Sequence, residues 1–391
     1  MRSFATFLAV ALSILGGMHF YFWVRLVRDP ALGEPWRRLA TVAIALLAVA
    51  FPLAMFALRR APEPLSRLVP TFGFGWLGVA FLLLVTLVVI DAARVLAWLV
   101  DAAGGALRRS SDVPADPARR TFVAQAVAGA ALTVTAGASV VAVRRAGGPA
   151  ETDEVPVRIE RLPRALSGYT IAQITDLHVG PTIRAKEVRR VVEQTNGLRP
   201  DLVAITGDLV DGRVGELGPI VQELSKLRAR HGAFFVTGNH EYYSGAGDWI
   251  AFLASLGIRV LRNERVTVGD AGASFDLAGV DDFMHGYDLD RAVAARDPDR
   301  ALVLLAHQPK GIEGAVRAGV DLQLSGHTHG GQIVPFNLLV AAAQPYVRGL
   351  HAHVEGDRAG HIYVSRGTGY WGPPMRLGSP PEIAKIVLTP T

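Results

Sequence analysis

The chain has 391 residues, a net charge of +5, a mean hydropathy of +0.29 and no cysteine. Without cysteine it can hold no disulfide, no thiolate-bound metal and no cysteine nucleophile. The apolar excess lies almost wholly before residue 145, and the arginines there flank apolar runs. That pattern is typical of a membrane region, not of a nucleic-acid-binding surface. We therefore expect a membrane-embedded N-terminal part, a globular C-terminal part and no nucleic-acid partner.

Four N-terminal stretches are nearly free of charge and long enough for transmembrane helices. They are residues 4–24, 39–58, 72–90 and 122–143. About 20 apolar residues are needed to cross roughly 30 Å of hydrocarbon. These stretches predict a helical transmembrane region over residues 1–145. A polar, Gly/Pro-containing linker at 146–156 and a globular domain at 157–391 are predicted to follow.

Arg119 and Arg120 immediately precede the fourth stretch. The pair has two interpretations: a twin-arginine export signal, or the positively charged cytoplasmic flank of an ordinary helix. Both interpretations place the chain after residue 143 outside the cytoplasm.

The other arginines favour the same orientation, because the side that carries more of them is expected to be cytoplasmic. The richer side holds Arg25, Arg28, Arg37, Arg38, Arg94, Arg108, Arg109, Arg119 and Arg120. An additional crossing by residues 91–100 would reverse this orientation.

After residue 157, short apolar runs alternate with helical stretches such as 184–198 and 218–230. Buried strands that alternate with helices indicate an α/β domain. The predicted strands are residues 169–174, 202–205, 233–236, 275–280, 301–306, 322–324 and 362–364.

Five of these strands are followed at once by side chains that bind metals through oxygen or nitrogen. They are Asp176 and His178, Asp208, Asn239 and His240, His307, and His327 and His329. Taken singly, each has an ordinary explanation as a helix cap, a turn residue or a loop histidine. Taken together, they occupy the carboxyl ends of strands, where α/β sheets bind their ligands. We therefore expect them to converge on one site.

The number and type of these ligands predict a reaction class. A first-row metal takes about four to six ligands, and this set offers more, so it suits two divalent ions. Carboxylate, amide and imidazole groups without thiolate fit Mn, Fe or Zn. Two such ions roughly 3.5–4 Å apart can share a bridging carboxylate and a bridging hydroxide that attacks a phosphoryl group in line. The set therefore permits hydrolysis of a phosphate ester at a dinuclear centre.

In these motifs the chain resembles the calcineurin-like metallophosphoesterases. The matching motifs, in order, are Asp176-x-His178, Gly207-Asp208, Gly238-Asn239-His240-Glu241, His307 and Gly326-His327-x-His329. The resemblance implies two packed β-sheets flanked by helices, here preceded by the transmembrane helices.

The resemblance also implies a role for each residue of the set. One metal would be held by Asp176, His178 and His329. Asp208 would bridge the two ions. The second metal would be held by Asn239, His307 and His327. His240 would contact the phosphate and either stabilise its charge or protonate the leaving oxygen.

Two longer motifs, Gly-Asn-His-Glu-Tyr-Tyr at 238–243 and Gly-His-Thr-His-Gly-Gly-Gln at 326–332, resemble a bacterial membrane-tethered branch of that family, as do Arg366-Gly-Thr-Gly and the preceding helices. The branch includes a twin-arginine-exported cell-wall enzyme of Bacillus and phosphodiesterases of UDP-diacylglucosamine type. The resemblance implies a protein of the bacterial cytoplasmic membrane, with membrane lipids as partners, and the four apolar stretches predict that it is multi-pass. Its substrate would be a phosphate ester, preferably a diester, of an envelope lipid, a lipid-linked precursor or a cell-wall polymer. The chain departs from the exported forms in having more than one span.

Two alternatives to this function are open. In the first, the chemistry is the same but the domain lies in the cytoplasm and acts on nucleotide-linked lipid precursors. In the second, the protein is a non-catalytic, membrane-bound metal or phosphate sensor. A sensor has no need of His240, which favours the enzyme. Candidates for substrate contact are Tyr242, Tyr243, Arg366, Tyr370 and Trp371.

Overall fold

The computed structural model describes residues 2–62, 64–105, 116–270 and 272–391. The chain forms two compact units, Met1–Val141 and Ala142–Thr391. Arg108 and Arg109, which contribute to the predicted charge asymmetry, lie outside the described residues.

The N-terminal part of the chain is helical. Its helices are α1 (Arg2–Trp23), α2 (Trp36–Ala48), α3 (Ala50–Arg60), α4 (Leu65–Gly105) and α5 (Pro117–Gly147). Within the described residues, four helical segments are apolar and long enough to cross a membrane, judged by length and composition. They are Ala9–Arg28, Trp36–Leu58, Leu65–Ala103 and Pro117–Gly147. Each overlaps one predicted span, which is the pattern of a multi-pass membrane protein.

Residues 91–100 belong to α4 and do not form a helix of their own. α4 has 41 residues, so it is about 60 Å long, against roughly 30 Å for a hydrocarbon core. The extra crossing that would reverse the predicted orientation is therefore not a separate helix. The orientation itself stays a prediction.

Among the described residues, the second unit contains twelve strands in two sheets. The strands are β1 (Glu151–Ile159), β2 (Tyr169–Ile174), β3 (Leu202–Ile205), β4 (Ala233–Phe235), β5 (Arg259–Val260), β6 (Glu264–Asp270), β7 (Ala273–Gly279), β8 (Leu302–Leu305), β9 (Leu322–Ser325), β10 (Gly349–Glu355), β11 (Arg358–Val364) and β12 (Glu382–Pro390). The remaining helices are α6 (Ala185–Gly197), α7 (Val214–Val221), α8 (Asn239–Ser244), α9 (Ala246–Ser255), α10 (Leu289–Val293), α11 (Ile312–Arg317) and α12 (Phe336–Ala343).

Each sheet has six strands. The first runs in the order β1-β12-β2-β3-β4-β5, and the second in the order β10-β11-β9-β8-β7-β6. In the first sheet, β2 to β5 are parallel and β12 is antiparallel to β2. In the second sheet, β11, β9, β8 and β7 are parallel, with antiparallel strands at both edges. The central strands of each sheet are therefore parallel to one another. Their carboxyl ends lie at the same edge of that sheet.

The two sheets pack face to face, and helices cover their outer faces. Along β3, Leu202 and Ala204 point into the core between the sheets, whereas Val203 and Ile205 pack under α6 and α9. This alternation is the two-residue period of a strand buried on both faces. On the second sheet, Leu302 and Leu304 pack under α10 and α11 in the same way. The predicted two-sheet α/β fold is confirmed.

Strand β1 begins inside the segment predicted to be a linker, at 146–156, and continues beyond it. From Glu151 to Ile159 it pairs in parallel with β12, a strand that the apolar pattern also missed. The reason is that β1 is an edge strand with its first four residues exposed, so its composition is that of a polar tether. The predicted helix at 218–230 is also displaced: α7 begins at Val214 and gives way to a 3₁₀ turn that ends at Lys226.

Candidate metal centre

The predicted ligands lie at one edge of the sandwich, where the central strands of both sheets end. Asp176, Asp208 and Asn239 follow β2, β3 and β4, and His307 and His327 follow β8 and β9. Within the described residues, three groups of side chains that could hold a metal ion lie there, each with its donor atoms within 4.8 Å of one another. The groups are Asp176, His178 and His329; His178, Asp208 and His240; and Asp208, His307 and His327. Asp208 and His178 each belong to two groups, so the groups form one continuous centre.

The distances between ligand atoms match those expected around a metal ion. Two ligands about 2.1 Å from one ion, at an angle of 90–110°, lie about 3.0–3.4 Å apart. The Nε2 atoms of His178 and His329 are 3.1 Å apart. His307 Nε2 lies 3.1 Å from Asp208 Oδ2 and 3.3 Å from His327 Nδ1. The donor set therefore fits bound divalent ions.

Asn239 supports the same conclusion. Its Oδ1 atom is buried and has no hydrogen-bond partner. A buried amide oxygen without a partner costs free energy unless a ligand satisfies it. Asn239 follows Gly238, where an added Cβ would come within 2.2 Å of Asp208 Oδ1. Glycine is thus required at this position to keep the carboxylate and the amide side by side.

The backbone of the ligand loops is strained. Asp176, His178, Asp208, His327 and His329 all have positive φ angles, between 49° and 70°. Residues with a side chain rarely adopt this left-handed conformation, and it persists where the surrounding structure imposes it. Five such residues in one centre indicate that ligand placement, not local stability, dictates the loop conformation.

Electrostatics keeps Asp208 ionised. Burial alone would raise its pKa, but the neighbouring imidazoles, first of all His307, hold the pKa of Asp208 well below its usual value. The carboxylate is also held by the backbone N–H of His240, which donates to Oδ1 at 2.9 Å. His307 is oriented through its other nitrogen, with Nδ1 2.8 Å from the carbonyl oxygen of Thr206. A ring held in this way presents Nε2 to the centre.

Asp211, to which no motif of the sequence points, connects His240 to the predicted ligand His178. Its Oδ1 atom lies 2.5 Å from His240 Nδ1 and 3.2 Å from His178 Nδ1. Burial opposes its ionised form, but the charge on His178 outweighs this and lowers the pKa of Asp211. One carboxylate thus fixes the ring orientation of both histidines. Its signal in the sequence is an acidic residue three positions after Asp208.

Glu241 is the second residue to which no role was assigned. Its fully buried carboxylate accepts backbone N–H groups from Gly238, Asp208 and Leu209, at 2.7 to 3.0 Å. Burial, together with the nearby charge of Asp208, raises the pKa of Glu241 to about 7. The side chain ties the loop after β3 to the loop after β4, and so holds the Asp208 and Asn239 ligands together.

Arg376, a fully buried side chain, supports His329 from behind. Its guanidinium donates to several backbone carbonyls, among them that of His329 at 2.8 Å, and its Nη2 lies 3.2 Å from His329 Nδ1. Burial and the adjacent Arg376 charge lower the pKa of His329 well below its usual value, which leaves the neutral imidazole that binds metals. Arg376 lies in a Gly/Pro-rich loop and has no recognisable signal in the sequence.

The candidates for substrate contact separate into two groups. Tyr243 and Trp371 are exposed, and their rings lie 5.4 and 5.6 Å from the His240 ring. Tyr242 stacks on His285, and Tyr370 is buried in the core under α6. Arg366 forms ion pairs with three carboxylates: Glu151, Asp153 and Glu382. These ion pairs give Arg366 a structural role, and its contact with substrate stays a prediction.

Comparison with known proteins identifies the class of protein to which the chain belongs. The sequence model of the calcineurin-like phosphoesterase family matches residues 169–331, which include every predicted ligand. The chain belongs to this family and is a metallophosphoesterase, a hydrolase of phosphoric ester bonds.

Individual relatives share more than the catalytic unit. The chain is 35% identical over 381 residues to a "Transmembrane protein with metallophosphoesterase domain" of Bos taurus, covering 92% of this chain and 82% of that protein. A protein of the same name from Danio rerio is 32% identical, with 97% and 87% covered. An uncharacterized metallophosphoesterase of Helicobacter pylori is 41% identical over 244 residues, with 61% and 63% covered. The similarity to the first two extends through the N-terminal helices.

Proposed function

We propose that the protein is a membrane-anchored, dinuclear phosphodiesterase. Its substrate would be a phosphodiester of an envelope lipid, a lipid-linked precursor or a cell-wall polymer. The observation that carries this proposal is the position of Asp208, whose carboxylate is grouped with His178 on one side and with His307 and His327 on the other. A carboxylate shared in this way suits two adjacent divalent ions and not one.

The ligand groups support a specific distribution of two ions, for which Mn, Fe and Zn are the candidates. Asp176, His178 and His329 would hold one ion, and Asn239, His307 and His327 the other, with Asp208 between them. Bound ions would supply positive charge to the phosphoryl oxygens and acidity to a water molecule.

His240 is proposed to act on the leaving group. Its Nδ1 contacts Asp211 at 2.5 Å, and its Nε2 lies 4.0 Å from Asp208 Oδ2. With one nitrogen held by a carboxylate, the ring presents the other nitrogen to the centre. A positioned imidazolium at this point can donate a proton to the departing ester oxygen. Tyr243 and Trp371 beside this ring suit an apolar or planar leaving group.

The proposed orientation places the catalytic unit outside the cytoplasm of a bacterial cell. Arg119 and Arg120 are exposed in the first turn of α5, where they suit either a twin-arginine signal or a cytoplasmic flank. Alkaline phosphatase and green fluorescent protein, each fused after Thr391, test the orientation, since the first is active only outside the cytoplasm and the second fluoresces only inside. Fluorescence without phosphatase activity would overturn it and favour the cytoplasmic alternative.

The reaction is tested with the full chain in detergent, stripped of metal and reloaded with Mn, Zn, Fe or Mg. We expect metal-dependent cleavage of bis-p-nitrophenyl phosphate, faster than cleavage of p-nitrophenyl phosphate. Turnover of the monoester alone would contradict the diesterase assignment. Two bound ions without turnover of either soluble ester, or of a lipid-borne diester, would favour the sensor alternative.

The variant His240→Ala separates an enzyme from a sensor. An enzyme should lose about 10²–10⁴-fold in rate while it keeps its metal content, because proton transfer is lost but no ligand is. The loss should be larger for an alkyl leaving group than for p-nitrophenolate, which departs without a proton. His351→Ala is the matched control, since that ring lies on β10 and contacts the carbonyl oxygen of Arg348. An unchanged rate with every cleavable ester would remove His240 from the mechanism.

A further inference from the structure

Helix α12 exposes a run of apolar side chains in the catalytic unit. None of its eight residues is buried. Leu338 and Leu339 are 67% and 64% exposed, and Val334 and Phe336 beside them are also exposed. The sequence contains no charged residue between His329 and Arg348. Contiguous apolar surface of this kind indicates a surface that contacts another apolar phase or partner.

This surface is joined rigidly to the metal centre. α12 begins five residues after Gly331, where an added Cβ would come within 2.3 Å of Asn337 Cα. The amide of Gln332 donates to the carbonyl oxygen of Trp371 at 2.9 Å and accepts from the Trp371 N–H at 3.0 Å. The turn that carries His329 therefore holds α12 on one side and the exposed Trp371 on the other. We call α12, Val334 and Trp371 together the apolar rim.

The size of the rim argues against a second copy of the chain as its occupant. An eight-residue helix is about 12 Å long, whereas a stable protein interface covers about 800 Å² on each partner. A bilayer imposes no such minimum, because a few leucines and an aromatic ring suffice for contact with the interface. The described residues of the same chain also include four helical segments of membrane-crossing length and composition, so the chain itself links its catalytic unit to a bilayer.

We propose that the apolar rim is an interfacial docking surface, which inserts into the headgroup and acyl boundary of the lipid bilayer. Leu338 and Leu339 enter the acyl region, and Trp371 lies at the headgroup level, where tryptophan is enriched. Such helices enter the boundary by about 5–10 Å. Docking would hold the metal centre beside phosphate groups at the lipid surface. The proposal concerns contact with lipid and does not require the diesterase reaction.

The absence of cysteine from the sequence allows a direct test with the full-length protein. Leu339→Cys is labelled with nitrobenzoxadiazole, and the protein is reconstituted in phosphatidylglycerol/phosphatidylethanolamine nanodiscs. Val354→Cys is the matched control, because Val354 is 67% exposed, close to the 64% of Leu339. It pairs with Ala359 at the end of the β10–β11 hairpin that is remote from the metal centre. Quenching by doxyl-labelled lipid and by aqueous iodide is measured for both labels.

We expect the label at 339 to be quenched at least about threefold more by doxyl lipid than the label at 354, and to be shielded from iodide. Equal quenching at both positions by both reagents would overturn the proposal. Shielding from iodide without lipid quenching would also overturn it, and would indicate a protein partner if the shielding increases with the number of copies in each disc.

A second measurement rests on the proposed phosphodiesterase activity. The double variant Leu338→Asp/Leu339→Asp should lose at least about tenfold in rate on a lipid-borne diester, since two apolar side chains no longer transfer from water to lipid. Its rate on bis-p-nitrophenyl phosphate should be unchanged, and Val354→Asp should retain both rates. An equal loss on both substrates would assign α12 to the fold and not to docking. If neither the unaltered protein nor any variant cleaves either ester, the catalytic proposal fails, and the quenching result still decides the docking.

Discussion

The two units of the chain distribute apolar side chains in opposite ways. In the N-terminal helices, Leu46 is 65% exposed and Phe20 is 63% exposed. In the catalytic unit, Ile171, Leu305 and other strand residues are completely buried between the layers. The favourable transfer of apolar side chains out of water explains both distributions. For the helical unit the apolar phase is the lipid around it, and for the catalytic unit it is the protein's own core.

The two units also differ in how their buried polar groups are hydrogen-bonded. In the helical unit, buried His19 uses both ring nitrogens: Nε2 accepts from Trp76 at 3.0 Å, and Nδ1 lies 2.8 Å from the carbonyl oxygen of Leu15. In the catalytic unit, the Nε2 atoms of His178 and His329 face each other, and Asn239 Oδ1 has no partner. A buried polar group with every atom paired contributes to structure. Buried groups whose free ends converge indicate a ligand.

The largest expected effect is that of Asp208→Asn. The substitution removes the charge shared by two ligand groups, so transition-state stabilisation of several kcal/mol is lost, and the rate should fall at least about 10³-fold. Metal analysis should give fewer than two ions per chain. The control is Asp357→Asn, at an exposed turn. A variant that keeps both ions and its rate would refute the bridging role.

The same substitution, to aspartate at similarly exposed positions, should have very different consequences in the two units. Leu46→Asp and Val354→Asp alter side chains that are 65% and 67% exposed. In the helical unit the charge would face hydrocarbon, and membrane insertion should lose about 2.5–3.5 kcal/mol. In the catalytic unit it faces water, and stability should change by less than about 0.5 kcal/mol. Insertion into microsomes measures the first effect, and thermal denaturation the second. Normal insertion of Leu46→Asp would contradict the assignment of α2 to the membrane.

Asp211→Asn should reduce the rate about 10–100-fold, the usual cost of losing a group that orients metal ligands. Because Asp211 contacts both His178 and His240, the variant should show weaker metal affinity as well as slower turnover. Excess metal should restore only part of the rate. If saturating metal restores the full rate, Asp211 acts through His178 alone.

The smallest predicted effect is a proton release on metal binding. The charge of Asp208 outweighs burial and raises the pKa of His307 to about 10, and Asp211 likewise raises the pKa of His178 to about 9. Below these values both rings are protonated, and metal must displace about two protons. Metal affinity should therefore increase as the pH rises from 6 to 8. Calorimetry in buffers of different ionisation enthalpy measures the number of protons released. If no proton is released, both rings are neutral before metal binds.

The order of strands and ligands along the chain could be predicted from local pattern. β2 and β3 occupy the predicted residues, because strands buried on both faces are continuous apolar runs. β1 could not be predicted, since an exposed edge strand has the composition of a linker. β12, between β1 and β2, receives its position only through pairing with strands more than 200 residues earlier in the chain.

The same distinction applies to the metal centre. By itself the sequence determined the α/β class, the four apolar stretches and the candidate metal ligands, because these depend on side-chain chemistry and on short-range spacing. Only the tertiary structure decided that Asp211 joins two histidines, that Arg376 supports His329, and that Arg366 is neutralised by three carboxylates. Those contacts join residues that are distant in the chain. Local sequence patterns do not predict them, because only folding brings such residues together.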